Sequence, residues 1–260
     1  MLKKFLTLPE LRRTDIDGSD IIDKRSDIIQ SKRFLKKIYS EWYRLLAASI
    51  PEGPGKILEL GSGGGFLKKI IPEVITSDVF SASGIDVKID ACKAIPFGND
   101  ELKTIAMVDV LHHLPDVASF LKLAEKSLKM GGRIIMIEPW YTPWSGIIYN
   151  KLHHEPFNTH AVNWHFPCAG PLSSANGALP WILFERDRDI FNEKFPGYEI
   201  LEIKKMMPIC YLLSGGVSYK SFVPGCFFKF VRGIEKFLKL ESLCAMFAFI
   251  TIEKKPHTFI

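Results

Sequence analysis

Residues Gly61, Ser62, Gly63, Gly64 and Gly65 form a stretch of the chain with almost no side chain. Glycines in such a run permit left-handed backbone and let a ligand or another segment come very close. The apolar run Lys56 to Leu60 before them reads as a short strand, and "FLKKII" after them reads as a helix. A strand, a glycine turn and a helix in that order outline a nucleotide-type site, because the first amides of a helix point outward with partial positive charge. Two familiar versions fail here. The dinucleotide fingerprint needs a third glycine where the chain has Phe66, and no GK[ST] follows for a phosphate-cradling loop. Two acids complete the pattern: Glu59 sits just before the turn, and Asp78 ends the next predicted strand. An acid at such a strand end can accept from both hydroxyls of a ribose.

Other groups able to do chemistry are Asp90, Asp109 and the histidines His112, His113, His153, His154, His160 and His165. A histidine in a loop can act as a base near neutral pH. His153, His154 and Glu155 are adjacent in sequence, so their side chains diverge and no metal site is expected from them. The chain has no GxSxG and no cysteine in a catalytic setting. Its five cysteines, Cys92, Cys168, Cys210, Cys226 and Cys244, are scattered without CxxC spacing, which argues against structural zinc and a disulfide framework.

Four segments then occur in a telling order. Glu59, Gly61, Gly63 and Gly65 spell ExGxGxG, and they are followed by "DACKAIPFGNDELKTI" (90–105), "VLHHLPD" (110–116) and "LKMGGRIIMIEP" (128–139). Together they resemble the class I S-adenosylmethionine-dependent methyltransferases, in particular the type 11 group. The resemblance implies S-adenosyl-L-methionine as cofactor. It implies Glu59, Gly61, Ser62, Gly63 and Gly65 at the turn, Asp78 at the ribose, Asp90 at the adenine amino group and the amide of Ala91 at the ring. Asp109 falls where the family holds the methionine portion and the reacting methyl, either on the cofactor amine or on a substrate hydroxyl. A sulfonium methyl is already activated, so the protein must mainly align acceptor, methyl and sulfur and keep water out. That accounts for the missing nucleophile; a hydroxyl or carbon acceptor also requires a base, for which His113, His153 and Asp109 are the candidates. One departure is Leu102-Lys103 where the family has Phe-Asp, which predicts altered edge contacts in the fourth strand.

These groups need a frame. Short strands at "KILEL", "VITSDV", "GIDVKID", "LKTIAMVDV" and "GGRIIMIEP" alternate with helices, one of them over about 116–129. Such alternation predicts an α/β, Rossmann-like sheet with helices on both faces and ligands at the carboxyl ends of the strands. A helix near Phe184 to Phe195, a strand "YEILEIKKM" and a last strand "CAMFAFITIEK" beside it, running antiparallel, make a seven-stranded mixed sheet. Residues 1–50 read as an N-terminal helical cap, with Ile29, Phe34, Ile38, Trp42 and Leu45 as the inner stripe of one helix from Ser26 to Ile50. The methyltransferase domain is then 51–260. Residues 140–183 read as a long loop-like insertion whose Trp140, Tyr141, Trp144, Tyr149 and Trp164 line an acceptor pocket, and 208–243 as a helical insertion before the last strand.

The chain has 260 residues, 47% of them hydrophobic, and a formal charge of +5 spread along its length. A core is affordable, and a dedicated nucleic-acid binder is disfavoured. The acceptor is expected to be a small molecule or a glycan-type group. Within Phe222 to Leu240, phenylalanines alternate with Lys and Arg; this reads first as a core element and second as a peripheral membrane contact near a lipid-borne acceptor. The N-terminal "MLKKFLTLPELRRTD" lacks the apolar run and cleavage site of a signal peptide, so a cytoplasmic setting is expected. Competing readings are a non-catalytic binding module that keeps the cofactor fold, and a nicotinamide oxidoreductase.

Overall fold

The structure, a computed structural model, describes residues 7–11, 17–153, 155–167, 170 and 174–256. His154, Cys168 and most of the basic N-terminal patch lie outside them. Seven strands make one sheet: β1 (Lys56–Leu60), β2 (Ile75–Asp78), β3 (Val87–Lys88), β4 (Leu102–Val108), β5 (Leu128–Pro139), β6 (Tyr198–Met206) and β7 (Phe247–Lys254), in the order β3-β2-β1-β4-β5-β7-β6. The β3-to-β5 part is parallel, and β7 runs antiparallel to both β5 and β6. This is the expected mixed sheet. β5 is buried without a break from Ile134 to Trp140, which requires cover on both faces. From β1 the chain builds outward to β2 and β3, then crosses back to β4 on the other side of β1. That reversal opens the crevice where such sheets take ligands. The glycine turn leaves β1 there, and Asp109 follows the end of β4.

The Leu102-Lys103 departure shows as a bulge. The register of β4 slips between Leu102 and Thr104 against both neighbours, and Lys103 Nζ donates to the Gly53 carbonyl at 3.1 Å.

Four expectations about helices need correction. The single N-terminal helix is two, α1 (Asp20–Ser31) and α2 (Arg33–Ala48), broken at Lys32. The break sends Lys32 Nζ to the carbonyls of Gly216 and Tyr219, at 2.5 and 2.6 Å. The stripe Ile29, Phe34, Ile38 and Trp42 is buried as predicted, but Leu46 is its next member and Leu45 is only half-buried. Second, "FLKKII" forms only one 3-10 turn, Leu67–Lys69. Pro72 follows at once and disfavours helix in the residue before it, and β2 already begins at Ile75. The turn is therefore not capped by a long helix, and its amides are those of the loop itself.

Third, the insertion after β5 is mostly loop, as expected, but it opens with a helix that was not expected. α4 (Pro143–Leu152) starts with Pro at its first position and a capping box: Thr142 Oγ1 accepts from the Ser145 amide at 3.1 Å, and Ser145 Oγ accepts from the Thr142 amide at 2.8 Å. Preceding it, α3 (Val117–Ser127) is capped by Asp116, which accepts from the Ser119 amide at 3.0 Å. The predicted 184–195 helix is a π-turn, Ile182–Arg186, followed by α5 (Arg188–Lys194).

Fourth, the basic aromatic segment is helical but is not a core element. In α6 (Phe228–Phe237) only Phe228, Arg232 and Glu235 are buried, while Phe230, Ile234 and Phe237 face solvent.

Candidate active site

At the crevice lies a cavity of about 390 Å³, within the range of small-molecule sites. The structure places Glu59, Gly61, Ser62, Gly63, Gly65, Asp78, Asp90, Ala91, Asp109 and His113 on its wall. His153 is not among them. It lines a smaller hollow with Tyr149, Glu155 and Tyr211, and Asp109 borders both spaces.

The glycines are needed for two different reasons. Gly61 and Gly63 hold φ of +62° and +47°. Gly63 donates its amide to Asp78 Oδ2 at 3.0 Å, and a Cβ there would meet nothing closer than 3.7 Å. Its open side belongs to the cavity. At Gly64 a Cβ would lie 2.3 Å from the Ser26 amide nitrogen, and at Gly65 it would lie 2.1 Å from Tyr43 Oη. Those two are bare because α1 and α2 press on the turn from outside.

The acids are arranged around the space with little cationic company. Asp78 Oδ1 accepts from the Phe80 amide at 3.1 Å, and burial raises its pKa despite the backbone donors. Asp90 accepts from the Cys92 amide at 3.2 Å and from Lys93 Nζ at 2.8 Å. Burial lifts Glu59 to about 7, with the charge of Asp78 adding to the effect. Asp109 carries a left-handed backbone, φ +63°, held by its amide donating to the Ile137 carbonyl at 2.8 Å. Strain of that kind in a non-glycine residue persists only where the surroundings enforce it. Burial lifts its carboxyl to about 6, assisted by Glu155 and Glu138 and opposed by His112. Arg25 of α1 also lines the cavity.

Behind Asp109 stands a network that sequence reading missed. Glu138 is fully buried in β5; its Oε1 accepts from the amides of Val110 and Leu111 at 2.8 and 2.7 Å. Its Oε2 pairs with His112 Nδ1 at 2.7 Å. Burial works against a charge on His112, yet the contacts to Glu138 and Glu155 outweigh it and hold the imidazole well above its ordinary pKa. So His112 braces the loop that carries Asp109. His113 is the opposite case: burial and the neighbouring His112 push it down to about 3, so it is neutral, with Nδ1–H available to the Ser174 carbonyl at 3.1 Å. One signal for Glu138 was present in the sequence, a lone acid inside the apolar run "IIMIEP".

Glu155 faces His112 Nε2 at 3.4 Å, His113 Nε2 at 3.7 Å and His153 Nδ1 at 3.6 Å. The cluster expected to diverge, His153, His154 and Glu155, is not the one that forms, and His154 lies outside the described residues; instead folding brings His112, His113 and Glu155 atoms within 4.8 Å of one another, a set with the donor types of a divalent-cation site. The same atoms also balance one another, the His112 imidazolium lying between two carboxylates.

Of the five insertion aromatics expected around an acceptor, only Tyr149 reaches the hollow. Trp140 is fully buried; Trp144 Nε1 donates to the Pro208 carbonyl at 2.9 Å, Trp164 Nε1 to Asp187 at 2.9 Å, and Tyr141 packs on Trp181. Trp140 and Trp164 join the hydrophobic core of the sheet, and Tyr141 and Trp144 pack against it. The wall is completed instead by Ile22, Tyr39 and Tyr43 from the N-terminal helices and Val217 from the segment before α6. A buried helix stripe was legible there, but not what it was buried against.

A parallel sheet extended by an antiparallel β7 between β5 and β6, a glycine turn after β1 and acids at the ends of β2 and β4 define the class I, Rossmann-like methyltransferase fold. A family model described as a methyltransferase domain matches residues 30–173, more than half of the chain, and the chain belongs to that family. Solved structures agree on the fold. An S-adenosylmethionine-dependent methyltransferase from Thermotoga maritima is 17% identical and superposes with a TM-score of 0.56, covering 91% of this chain and 98% of that one. Geranyl diphosphate C-methyltransferase from Streptomyces coelicolor A3(2), solved with Mg2+, geranyl diphosphate and S-adenosyl-L-homocysteine, is 14% identical with a TM-score of 0.53, covering 96% and 89%. No curated protein matches the chain.

Proposed function

We propose that the cavity binds S-adenosyl-L-methionine and that the chain directs its methyl onto a hydroxyl of a small molecule, a sugar or a lipid-linked glycan presented beside Asp109. The donor set carries this reading. Glu59, Asp78, Asp90 and Asp109 surround the space, with Arg25 and the already paired Lys93 as the cations on its wall. A diphosphate-bearing dinucleotide would meet mainly like charge, whereas an adenosyl cation with ribose hydroxyls and an amino-acid tail would find acceptors. The open face at Gly63 beside Asp78 leaves room for the sugar.

When bound, the cofactor supplies an electrophilic methyl on a positively charged sulfur. The protein's part is placement and proton handling. Asp78 and Asp90 hold ribose and adenine, and Glu59, ionised by a nearby cation, steadies the tail. Asp109 borders both the cavity and the adjoining hollow, so its carboxylate can take the proton of an acceptor hydroxyl. Its raised value of about 6 brings it closer to the strength a general base needs near neutral pH. Neutral His113 and half-exposed His153 orient the acceptor rather than carry the proton.

The test is transfer of labelled methyl from S-adenosylmethionine into water-soluble and lipid-linked sugar fractions. Label should appear in a hydroxyl-bearing acceptor, and Asp109→Asn should slow transfer by about a hundredfold. Cofactor binding with no transfer to any fraction would favour the non-catalytic module. Transfer unaffected by Asp109→Asn would remove that residue as base.

A further inference from the structure

α6 is assembled inside out. Phe227, Phe230, Ile234 and Phe237 recur at the spacing of one helix face, and they are 49, 66, 37 and 85% exposed. Phe222 and Leu243, in the segments before and after the helix, are also exposed, at 52 and 74%. The opposite face buries its charges. Arg232 pairs with Glu41 of α2 at 2.6 Å, with Glu241 at 3.0 Å and with Glu235. Glu235 is fully buried and accepts from the amides of Ile209 and Cys210, both at 2.7 Å. Rolling the helix to hide its phenylalanines would strand these groups, so the apolar face is fixed outward.

We propose that this face lies in the headgroup layer of a membrane containing anionic lipid. Three observations select that occupant. Lys229, Lys236 and Lys239 are exposed along the same helix and its end, so the surface is apolar with a basic flank, the composition of an interfacial helix. Ten residues rise about 15 Å, half the thickness of a hydrocarbon core, and no helix among the described residues is long and apolar enough to cross a membrane; α6 can lie on a bilayer but not span it. A second copy is a poorer partner, because an antiparallel two-fold contact through this face would bring the two sets of lysines towards each other. The segment leading into α6 supplies Tyr211 and Val217 to the two spaces around Asp109, so one stretch of chain joins the membrane face to the acceptor side. The inference rests on this surface and not on the reading of the cavity.

Co-sedimentation of the full chain with vesicles tests it, using phosphatidylcholine alone and with roughly 30% phosphatidylglycerol. The chain should partition onto the anionic vesicles. Phe230→Ser/Phe237→Ser should lower that partitioning at least about tenfold, and Lys229→Glu/Lys236→Glu should lower it on anionic vesicles while leaving weak binding to phosphatidylcholine unchanged. All three proteins should keep the same circular dichroism and the same S-adenosylmethionine affinity, since the substituted side chains are exposed and away from the cavity. Absence of the wild-type chain from anionic vesicles, or equal partitioning of wild type and the serine variant, would overturn the proposal. So would a wild-type dimer in light scattering that the serine variant dissociates.

Discussion

The two sides of the crevice are built by different rules. On the cofactor side, each group on the wall sits at or just beyond the end of a strand: Glu59 and the glycine turn at β1, Asp78 at β2, Asp90 after β3, Asp109 after β4. On the other side, the wall is collected from residues far apart in the chain, Tyr39 of α2, Tyr149 of α4, Glu155, Tyr211 and Val217. The first side depends on local backbone geometry, the second on how helices pack. Glu138 and His112 join the two, since they hold the amides after β4 and also face Glu155.

Breaking the joint should have the largest effect. Glu138→Ala removes the acceptor for two buried amides and the main partner of a buried imidazolium, so urea unfolding should show a loss of about 3–5 kcal/mol. A loss below about 1 kcal/mol would mean that the two sides are held together elsewhere. Next comes a pH effect confined to the cofactor side. Glu59 rises from 4.5 in the unfolded chain to about 7 in the fold, so the folded state binds the extra proton between those values. The ligand-free protein should therefore lose stability as pH climbs from 4.5 through about 7, by about 3 kcal/mol in all. Glu59→Gln should remove this share and leave the smaller loss due to Asp109, which rises to about 6, in unfolding curves taken across the range; an unchanged slope would place the titration on another group. Smaller again is the contact between the turn and α2. Gly65→Ala should cost about 1–3 kcal/mol through its clash with Tyr43 Oη, and the same change in a Tyr43→Phe background should cost clearly less. Equal costs in both backgrounds would place the strain on the Ser62 carbonyl, 2.9 Å from such a Cβ, and not on Tyr43.

That contrast also explains what could be read beforehand. Glu59, Gly61, Gly63 and Asp78 were legible as cavity wall because strand ends and glycine turns leave short-range marks in residue type and spacing, and Asp90 and Asp109 through the motifs that resemble the family. Ile22, Tyr43 and Val217 were not, since periodicity says that a side chain is buried but not against what. α6 misled for a related reason. Its phenylalanines look like core until Glu41, nearly two hundred residues earlier, is seen to claim Arg232 for the interior. The missing helix after the glycine turn was overruled by Pro72 and the short span to β2.

The central claim is that acids at the ends of β1 to β4 make this cavity a site for an adenosyl cation and not for a dinucleotide. Isothermal titration calorimetry of the full chain with S-adenosyl-L-methionine tests it most directly, with a nicotinamide dinucleotide titrated in parallel. One S-adenosylmethionine should bind per chain, Asp78→Ala should weaken it by about 1–3 kcal/mol, and the dinucleotide should give no binding heat. Binding of the dinucleotide, or S-adenosylmethionine affinity that survives Asp78→Ala unchanged, would contradict the account.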